Sequence, residues 1–548
     1  MKKRTRIILI ALAALLVVGC ASMWYLYKSR SPVATGFRRW AKTVLVNMGV
    51  RSKGDSLDGA RDALPNGWEL VEDDVIGFAL GLPAGVERVE TAATGIAVFE
   101  GEGLKATISR EWSVEADAKQ YASFYFNRFV LDADFREANG VTLIENVSGA
   151  DFDRVQVRLD DYETDGEHTY DTYIYAHFFT ATPAFYRVMV KYDSSAPVAE
   201  HLPSAVNETF RSYRGQDIKP STQKFHPSAN PNWSDETRVM YERICNTDEV
   251  LWGIYTGYMD TEGIDTEIPA MEEKIGYDFD ALLYYVPIMY DDCRIPFPRE
   301  LMEKAYADGK IVELTYQLTG TNNEFLLEES HMLTIYKDGD SEMIRRFARE
   351  AIAFGHPFLF RLNNEMNSDW TNYSGVVNMQ DPDIFVEVWR LIYEIFEEEG
   401  VDNAIWIWNP HDRSYPPAEW TNYLTYYPGD EYVQMLGITG YNNGTYYAQR
   451  NNEYWREFDE IYGEIVRELG GSFDAFPWII TEFASSSHGG DKVKWIDGMF
   501  ANLDKYENIK IAVWFSYADF DENGVAARTY WLDETEETLA AFARGREN

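Results

Sequence analysis

The sequence contains little cysteine, little histidine and few positive charges for its length of 548 residues. Its three cysteines, Cys20, Cys245 and Cys293, are spaced like no metal-binding pattern. With Cys20 set aside, the other two would form either a disulfide or, as we expect, two unpaired buried thiols. The chain also lacks a glycine-rich phosphate loop, a zinc-type histidine cluster, and a serine or cysteine in the setting of a nucleophile. No metal or other cofactor is therefore expected.

Positive charge is scarce and unevenly distributed. The chain has 50 lysines and arginines against 90 acidic residues, for a formal net charge of −40. Eleven of the basic residues lie in residues 1–54, which contain no acid, so the remainder carries −51. Such a body is repelled by nucleic acid and by anionic membranes, which leaves a neutral or cationic partner. A neutral polysaccharide fits, although solubility alone would also explain the charge.

The N-terminus has the composition of a membrane-targeting segment. Basic residues at positions 2–6 precede an apolar run over residues 7–18. Residues 17–20, Val-Val-Gly-Cys, resemble a bacterial lipobox in which Cys20 would be lipidated. The apolar run nevertheless continues to Tyr27, which makes it long enough to span a bilayer uncleaved, at roughly 20 residues. Both alternatives stay open, and both anchor the body outside the cytoplasmic membrane.

Composition divides the chain into five parts. We predict an anchor segment (1–30), a basic tether (31–67), an accessory α+β domain (68–214), a polar, proline-rich linker (215–240) and a barrel domain (241–548). Within the tether, residues 37–48 would either lie on an anionic membrane surface or form a short helix against the next domain. In the accessory domain, Tyr170, Tyr173 and Tyr175 could stack on sugars, but the period-two spacing of Tyr173 and Tyr175 favours cross-strand contacts.

Eight apolar, β-branched or aromatic runs alternate with helical stretches after the linker. The runs are residues 250–255, 281–286, 311–316, 358–362, 404–408, 434–438, 478–481 and 509–514. Eight strand-then-helix units over about 300 residues are typical of a (β/α)8 barrel. We therefore predict an α/β chain whose barrel follows the smaller α+β domain.

Two glutamates stand where such a barrel places its active site, at the C-terminal ends of strands. Glu365 ends the fourth predicted strand and Glu482 ends the seventh. Arg361, Asn363 and Glu365 share one parity, so a regular strand would point all three the same way. Aromatic and amide side chains surround the pair, and two carboxyl groups with such neighbours indicate a glycosidase.

The region of residues 251–531 resembles glycoside hydrolase family 26, which is best known for endo-β-mannanases. The matching pieces are residues 360–367 (Phe-Arg-Leu-Asn-Asn-Glu-Met-Asn) with Trp370, 406–410 (Trp-Ile-Trp-Asn-Pro), 427–433 (Tyr-Pro-Gly-Asp-Glu-Tyr-Val), 437–442 and 480–483. The resemblance implies that Glu365 is the acid/base and Glu482 the nucleophile. It also implies cleavage of a β-mannan-type polysaccharide with retention of configuration, through a covalent glycosyl-enzyme.

Three positions depart from the family's usual pattern. Asn364 stands where a histidine usually precedes the acid/base, Gln317 where a sugar-binding histidine is usual, and Ser368 where a glycine is usual. Related retaining barrels have Asn-Glu at the acid/base, with the amide contacting the sugar 2-hydroxyl. The departures therefore weaken the assignment to mannan more than the assignment to glycoside hydrolysis.

The remaining candidate residues have expected roles around this pair. Glu365 needs a raised pKa, and Arg361 and Tyr441 are expected to hold Glu482 by hydrogen bonds. Trp514 is expected to floor the sugar subsite at the scissile bond. Neighbouring subsites would be lined by Trp370, Trp408, Asn409 and His411. Two alternatives remain: an inactive barrel that only binds carbohydrate at the surface, and a scaffold in which residues 68–213 bind a protein.

Overall fold

The computed structural model describes residues 54–115, 117–162, 170–180, 183–257, 263–287, 297–319, 330–339 and 341–547. The predicted anchor segment with Cys20, most of the tether, and Cys293 lie outside these ranges. Cys245 is a half-buried free cysteine. None of the helices in the described ranges combines the length and apolar composition needed to cross a bilayer.

The N-terminal part is an antiparallel α+β unit. Its helices are α1 Gly54–Asp62, α2 Ala118–Arg128, α3 Ala133–Asn139 and α4 Leu202–Thr209. Its strands are β1 Trp68–Asp73, β2 Phe78–Pro83, β3 Glu87–Val89, β4 Ile96–Gly101, β5 Leu104–Trp112, β6 Val141–Ser148, β7 Phe152–Leu159, β8 Thr172–Phe179, β9 Ala184–Tyr192 and β10 Arg211–Ser212. A three-stranded sheet has the order β1-β2-β10, and a seven-stranded sheet has the order β3-β4-β5-β9-β8-β7-β6.

The central strands β8 and β9 of the seven-stranded sheet are buried on both faces. On one face Ile174 and Ala176 join the unit's own hydrophobic core. On the other face Tyr173 and Tyr175 belong to the same apolar cluster as the barrel. Their hydroxyls donate to Asp381 and to the backbone oxygen of Met379, both in the barrel domain. These two tyrosines are therefore contacts between the two units and are not available to stack on sugars.

The C-terminal part is a closed barrel of eight parallel strands, which confirms the predicted fold class. Its strands are β11 Leu251–Tyr255, β12 Ala281–Pro287, β13 Ile311–Gln317, β14 Phe358–Leu362, β15 Ala404–Trp408, β16 Met435–Thr439, β17 Trp478–Phe483 and β18 Ile509–Phe515. Its helices are α5 Asp235–Cys245, α6 Ile268–Ile275, α7 Arg299–Ala307, α8 His331–Asp338, α9 Glu342–Phe354, α10 Pro382–Glu399, α11 Phe458–Leu469, α12 Lys492–Leu503 and α13 Glu536–Glu547. A hairpin of β19 Ala518–Phe520 and β20 Ala526–Thr529 follows the last barrel strand.

Side chains alternate between the interior and the surrounding helices along each barrel strand. Leu359, Ile407 and Val513 belong to the apolar cluster that fills the interior. Their neighbours Phe360 and Trp514 instead join the cluster formed with the helices. A polar layer lies above the apolar interior at the C-terminal ends of the strands, where Arg361 contacts Thr315 and Asn409. The candidate site is built on that layer.

Candidate active site

The fourth strand ends earlier than a regular strand carrying Glu365 would require. Strand β14 stops at Leu362, and Asn363 and Glu365 follow with φ of 49° and 58°. Asn363 turns aside and accepts a bond from the backbone N–H of Leu318 at 2.8 Å. The prediction that Arg361, Asn363 and Glu365 share one strand face is therefore wrong, because the chain leaves strand geometry between them.

Glu365 is held in this left-handed conformation by its backbone. Its N–H donates to the backbone oxygen of Asn409 at 2.8 Å, which ties it to the end of β15. The left-handed conformation costs an L-residue about 1–2 kcal/mol. Such outliers concentrate at functional sites, where the surrounding structure holds them in place.

Glu482 reaches the polar layer through an irregularity in the seventh strand. The pairing of β17 with β18 shifts register between Ile480 and Phe483. Because of this shift two consecutive side chains face the polar layer, with Thr481 Oγ1 3.1 Å from Asn409 Oδ1 and Glu482 Oε1 2.6 Å from Arg361 Nη1. Without the register shift, the alternation of side chains along a strand would point either Thr481 or Glu482 away from the barrel interior.

Three donors surround the Glu482 carboxylate. Besides Arg361, the Tyr441 hydroxyl donates to Oε2 at 2.8 Å, and Asn364 Nδ2 lies 3.4 Å from Oε1. Both carboxylate oxygens are thus engaged by protein donors. Arg361 and Tyr441 make the contacts that the sequence predicts for them.

Glu365 has a different environment. It is 7% exposed, and Trp370 Nε1 donates to its Oε2 at 2.8 Å. Burial and the negative charge of Glu482 raise the pKa of Glu365 to about 8, against the opposing effects of Trp370 and Arg361. The carboxyl group is therefore protonated at neutral pH. Carboxyl groups placed in such contrasting environments are how glycosidases separate the acid from the nucleophile.

Glu313 is a third carboxyl group in the polar layer, and the sequence analysis missed it. Its Oε1 lies 3.2 Å from Nε of Arg361, and the residue is fully buried on β13. Burial raises the pKa of Glu313 to about 8, although Arg361 acts to lower it. The signal was present, since a glutamate in the middle of an apolar strand needs a partner or a task as much as Arg361 does.

Asn364 is fixed by two neighbours. Its Oδ1 accepts from Gln317 Nε2 and from the Tyr373 hydroxyl, each at 2.9 Å. These bonds direct the amide nitrogen toward Glu482. Gln317 thus acts on the site through Asn364, and Tyr373 is a further residue that the sequence analysis missed.

Trp370 forms an aromatic wall beside Glu365. Its ring lies 4.9 Å from that of His411 and 5.2 Å from that of Tyr415. Burial lowers the pKa of His411, whose Nδ1 lies 3.0 Å from the backbone oxygen of Arg413. His411 is therefore uncharged at neutral pH. Its ring packs against Trp370, which donates to Glu365.

The predictions for Trp408, Trp514 and Asn409 as sugar-contacting residues are wrong. Trp408 and Trp514 are fully buried, and their indole nitrogens donate to the backbone oxygens of Tyr426 and Tyr530. Both point outward because the opposite parity faces the barrel interior. Asn409 faces the interior but is completely buried, and its Oδ1 accepts from Arg361 Nη1 at 2.9 Å.

Phe515 occupies the place that the sequence analysis gave to Trp514. It follows Trp514 on β18 and is half-buried. Its ring lies 5.8 Å from Tyr441 and 4.7 Å from Tyr255. The ring at the end of β18 that contacts Tyr441, the hydroxyl donor to Glu482, is therefore that of a phenylalanine.

The closed (β/α)8 barrel thus carries two buried carboxyl groups at the ends of its fourth and seventh strands. Residues 328–485 match the family model of glycosyl hydrolase family 26. The match includes strands four to seven and both Glu365 and Glu482. This region is therefore similar to glycosyl hydrolase family 26, which agrees with the resemblance that the sequence predicts.

A curated protein and several solved structures are also similar to this chain. Endoglucanase H of Acetivibrio thermocellus is 28% identical over 292 residues, which is 52% of this chain and 29% of that protein. The chain thus spans less than a third of this relative. The catalytic domain of the endo-β-1,4-mannanase of Bacillus sp. JAMB-750 has 18% identity and a TM-score of 0.42, covering 61% of this chain and 94% of that one. The mannanase man26 of Bacillus subtilis has 16% identity and a TM-score of 0.39, covering 57% and 93%.

Proposed function

We propose that the protein hydrolyses a β-linked polysaccharide with retention of configuration, with Glu365 as acid/base and Glu482 as nucleophile. One observation carries the proposal. The two carboxyl groups meet in contrasting settings, because Glu482 accepts from Arg361 and Tyr441 while the pKa of Glu365 is raised to about 8. An ionised nucleophile and a protonated acid are what the first step of a retaining glycosidase requires.

In the first step a Glu482 oxygen attacks the anomeric carbon and the glycosidic bond breaks. Glu365 transfers its proton to the departing oxygen, which leaves a glycosyl-enzyme ester and an ionised Glu365. Because Trp370 donates to Oε2, Oε1 is the oxygen that carries the transferable proton. The Trp370 bond also stabilises the carboxylate that forms.

In the second step water attacks the anomeric carbon and releases Glu482. Glu365 now takes the proton from that water, so both residues return to their starting states. Asn364 directly precedes Glu365 in the sequence, and its amide nitrogen points at Glu482. We assign it the contact with the sugar 2-hydroxyl, as in the related retaining barrels.

The substrate that we propose is of the β-mannan type. The match of residues 328–485 to the model of glycosyl hydrolase family 26, a family best known for endo-β-mannanases, supports this choice. Endoglucanase H, which is named for another glycan, makes glucan the second substrate to test. Mannan, glucomannan, mixed-linkage glucan and xylan should be assayed in parallel for new reducing ends. Binding to one of them without release of reducing ends would contradict the proposal and favour a carbohydrate-binding surface protein.

The two carboxyl roles are tested by Glu365→Ala and Glu482→Ala. Each should lower hydrolysis of the best polysaccharide by at least about 10²–10⁴-fold while circular dichroism stays unchanged. With an aryl β-glycoside and sodium azide, Glu365→Ala should form the β-glycosyl azide and Glu482→Ala the α-glycosyl azide. The reverse assignment of products, or an unchanged rate in either variant, would contradict the roles.

We further propose that residues 1–30 anchor the protein at the outer side of the cytoplasmic membrane. The basic start and the apolar run of residues 7–27 support this localisation. Mass spectrometry of the membrane fraction would separate the two forms of anchor. A diacylglyceryl group on an N-terminal Cys20 indicates a lipoprotein, whereas an intact Met1 indicates an uncleaved helix. Recovery of the protein from the soluble fraction alone would contradict both.

A further inference from the structure

The loop that carries Glu365 is long and almost completely buried. It comprises residues 363–381, between β14 and α10, and we call it the Glu365 loop. All of its residues are buried except Asp369 and Trp370, which are half-buried. Connecting loops normally run over the surface and are mobile there. This loop is different because the accessory unit packs on it.

The accessory sheet holds the end of the Glu365 loop by two hydrogen bonds. Met379 and Gln380 both have left-handed backbones, with φ of 55° and 50°. This conformation is unfavourable for residues other than glycine and persists only where the surroundings hold it. The hydroxyl of Tyr175 on β8 donates to the backbone oxygen of Met379, and Arg187 Nη2 on β9 donates to that of Gln380 at 2.7 Å.

A chain of hydrogen bonds links the accessory unit to the middle of the same loop. Asn139, at the end of α3, accepts from the backbone N–H of Ser330 at 2.7 Å, and the Ser330 hydroxyl donates to Asn378 at 2.6 Å. The Asn378 amide in turn donates to the backbone oxygens on either side of Tyr373, each at 2.9 Å. Tyr373 is the residue that orients Asn364 in the site.

One further contact reaches the residue beside Trp370. The hydroxyl of Tyr125, on α2 of the accessory unit, donates to Asp369 Oδ2. Asp369 directly precedes Trp370, whose indole N–H donates to Glu365. A residue outside the barrel is therefore two hydrogen bonds and one peptide bond away from the proposed acid.

The accessory unit also holds the neighbouring loop, which follows β15. Glu111 on β5 is 2% exposed and accepts from the backbone N–H groups of residues 419 and 420 at 2.8 and 3.1 Å. The same loop carries His411 and Tyr415, whose rings pack against Trp370. Both loops that surround Trp370 are thus tied to the accessory unit.

We propose that the accessory unit forms part of the acid side of the active site, and that Tyr125 is a positioning residue that keeps Trp370 and Glu365 in place for proton transfer. Glu482 is held separately, since its donors Arg361 and Tyr441 belong to the barrel. A change at Tyr125 should therefore impair protonation of the leaving group and spare nucleophilic attack. This inference rests on the proposed hydrolase function.

The test compares two substrates with the same glycone, phenyl and 2,4-dinitrophenyl β-mannobioside, with the matching cellobiosides in parallel. Phenolate is a poor leaving group and needs the proton of Glu365 as the glycosidic bond breaks, whereas dinitrophenolate departs without it. Tyr125→Phe should lower kcat/KM for the phenyl glycoside about tenfold and change kcat/KM for the dinitrophenyl glycoside less than about twofold. Activity kept on the dinitrophenyl glycoside also shows that the variant is folded.

Tyr121→Phe is the matched control. Tyr121 lies one turn earlier on α2, and its hydroxyl has no hydrogen-bond partner in the part of the chain that the structure describes. Its removal should leave kcat/KM for both substrates unchanged. Asp369→Ala should reproduce the effect of Tyr125→Phe, and the double variant should be no worse than either single variant, because both changes break the same bond.

Three results would overturn Tyr125 as a positioning residue while leaving the proposed function intact. They are unchanged kcat/KM values for both substrates in Tyr125→Phe, equal losses for both substrates, and additive losses in the double variant. No hydrolysis of the aryl glycosides or of the polysaccharides by the unaltered protein would instead overturn the proposed function, and the role of Tyr125 with it.

Discussion

The Nη1 of Arg361 lies 2.6 Å from Glu482, and Nε of the same guanidinium lies 3.2 Å from Glu313. One buried cation is thus shared by two buried carboxyl groups on strands seven and three. The pKa of Glu313 is raised to about 8, so Glu313 is neutral at pH 7 and leaves the arginine charge to Glu482. Arg361 is therefore a positioning residue for the proposed nucleophile as well as a structural one.

Arg361→Met should destabilise the protein and lower its activity. The change leaves the Glu482 carboxylate without its cation, and removing one partner of a buried ion pair costs roughly 3–5 kcal/mol. Denaturant titration would measure the loss. Glu313→Gln added to Arg361→Met should change the stability little at pH 7, because Glu313 is already neutral there.

The matched control is Arg349→Met. Arg349 bonds to Glu342 and Glu399 on the protein surface and is about half exposed. Exposed pairs contribute about 0–1 kcal/mol, so this variant should stay within that range. Equal losses in the two arginine variants would show that the shared buried cation has no special role.

The pH dependence of hydrolysis should carry the signature of Glu365. A general acid works in its protonated form, so kcat/KM should fall as the pH rises through the pKa of Glu365, which is about 8. The Trp370 bond favours the ionised form. Trp370→Phe should therefore raise that pKa and move the alkaline limb to higher pH. Trp68→Phe, a change in the accessory unit, is the control. The alkaline limb of its kcat/KM profile should not move.

The stability of the fold should depend on pH through Glu313. Its pKa is about 8 in the folded protein and near 4.5 when unfolded, so the folded state binds the proton more tightly. Its contribution is therefore fully present below about pH 4.5 and is lost as the pH rises toward 8. Glu313→Gln cannot titrate, and its melting temperature should fall less steeply than that of the unaltered protein between pH 5 and 8. Parallel curves for the two proteins would contradict this assignment.

Much of the barrel could be predicted because its strands are buried on both faces. Such strands are continuous apolar runs, and all eight runs are barrel strands in the structure. The proposed carboxyl pair followed from the rule that active sites lie at the C-terminal ends of such strands. Both inferences use properties that a single sequence carries.

The features that the sequence could not predict lie where the regular alternation of strand side chains stops. The left-handed residues after Leu362 and the register shift after Ile480 decide which side chains enter the site, and neither leaves a pattern in the sequence. Trp514 was placed in the site without regard to parity, which assigns Phe515 to the interior. The contact of the accessory sheet with the barrel was also missed. The apolar pattern of a buried sheet face does not indicate which domain covers that face.

The contact between the accessory sheet and the barrel contains a buried ion pair. Lys191 on β9 is completely buried, with Nζ 3.0 Å from Asp381 and 2.7 Å from Asp383 at the start of α10. Burial acts to lower the pKa of Lys191, but the two carboxylates outweigh it and raise that pKa well above its usual value. The accessory unit is thus joined to the barrel by charge as well as by shared apolar surface.

Lys191→Met should cost roughly 3–5 kcal/mol, because two carboxylates lose a buried cation at the interface. Calorimetry should show one cooperative transition for the unaltered protein, since the accessory sheet and the barrel share one hydrophobic cluster. In the variant the accessory unit should unfold first, as a separate transition at lower temperature. Lys119→Met is the control, because Lys119 pairs with Asp153 at the surface and should cost less than about 1 kcal/mol. Two separate transitions already in the unaltered protein would show that the two units are stable independently.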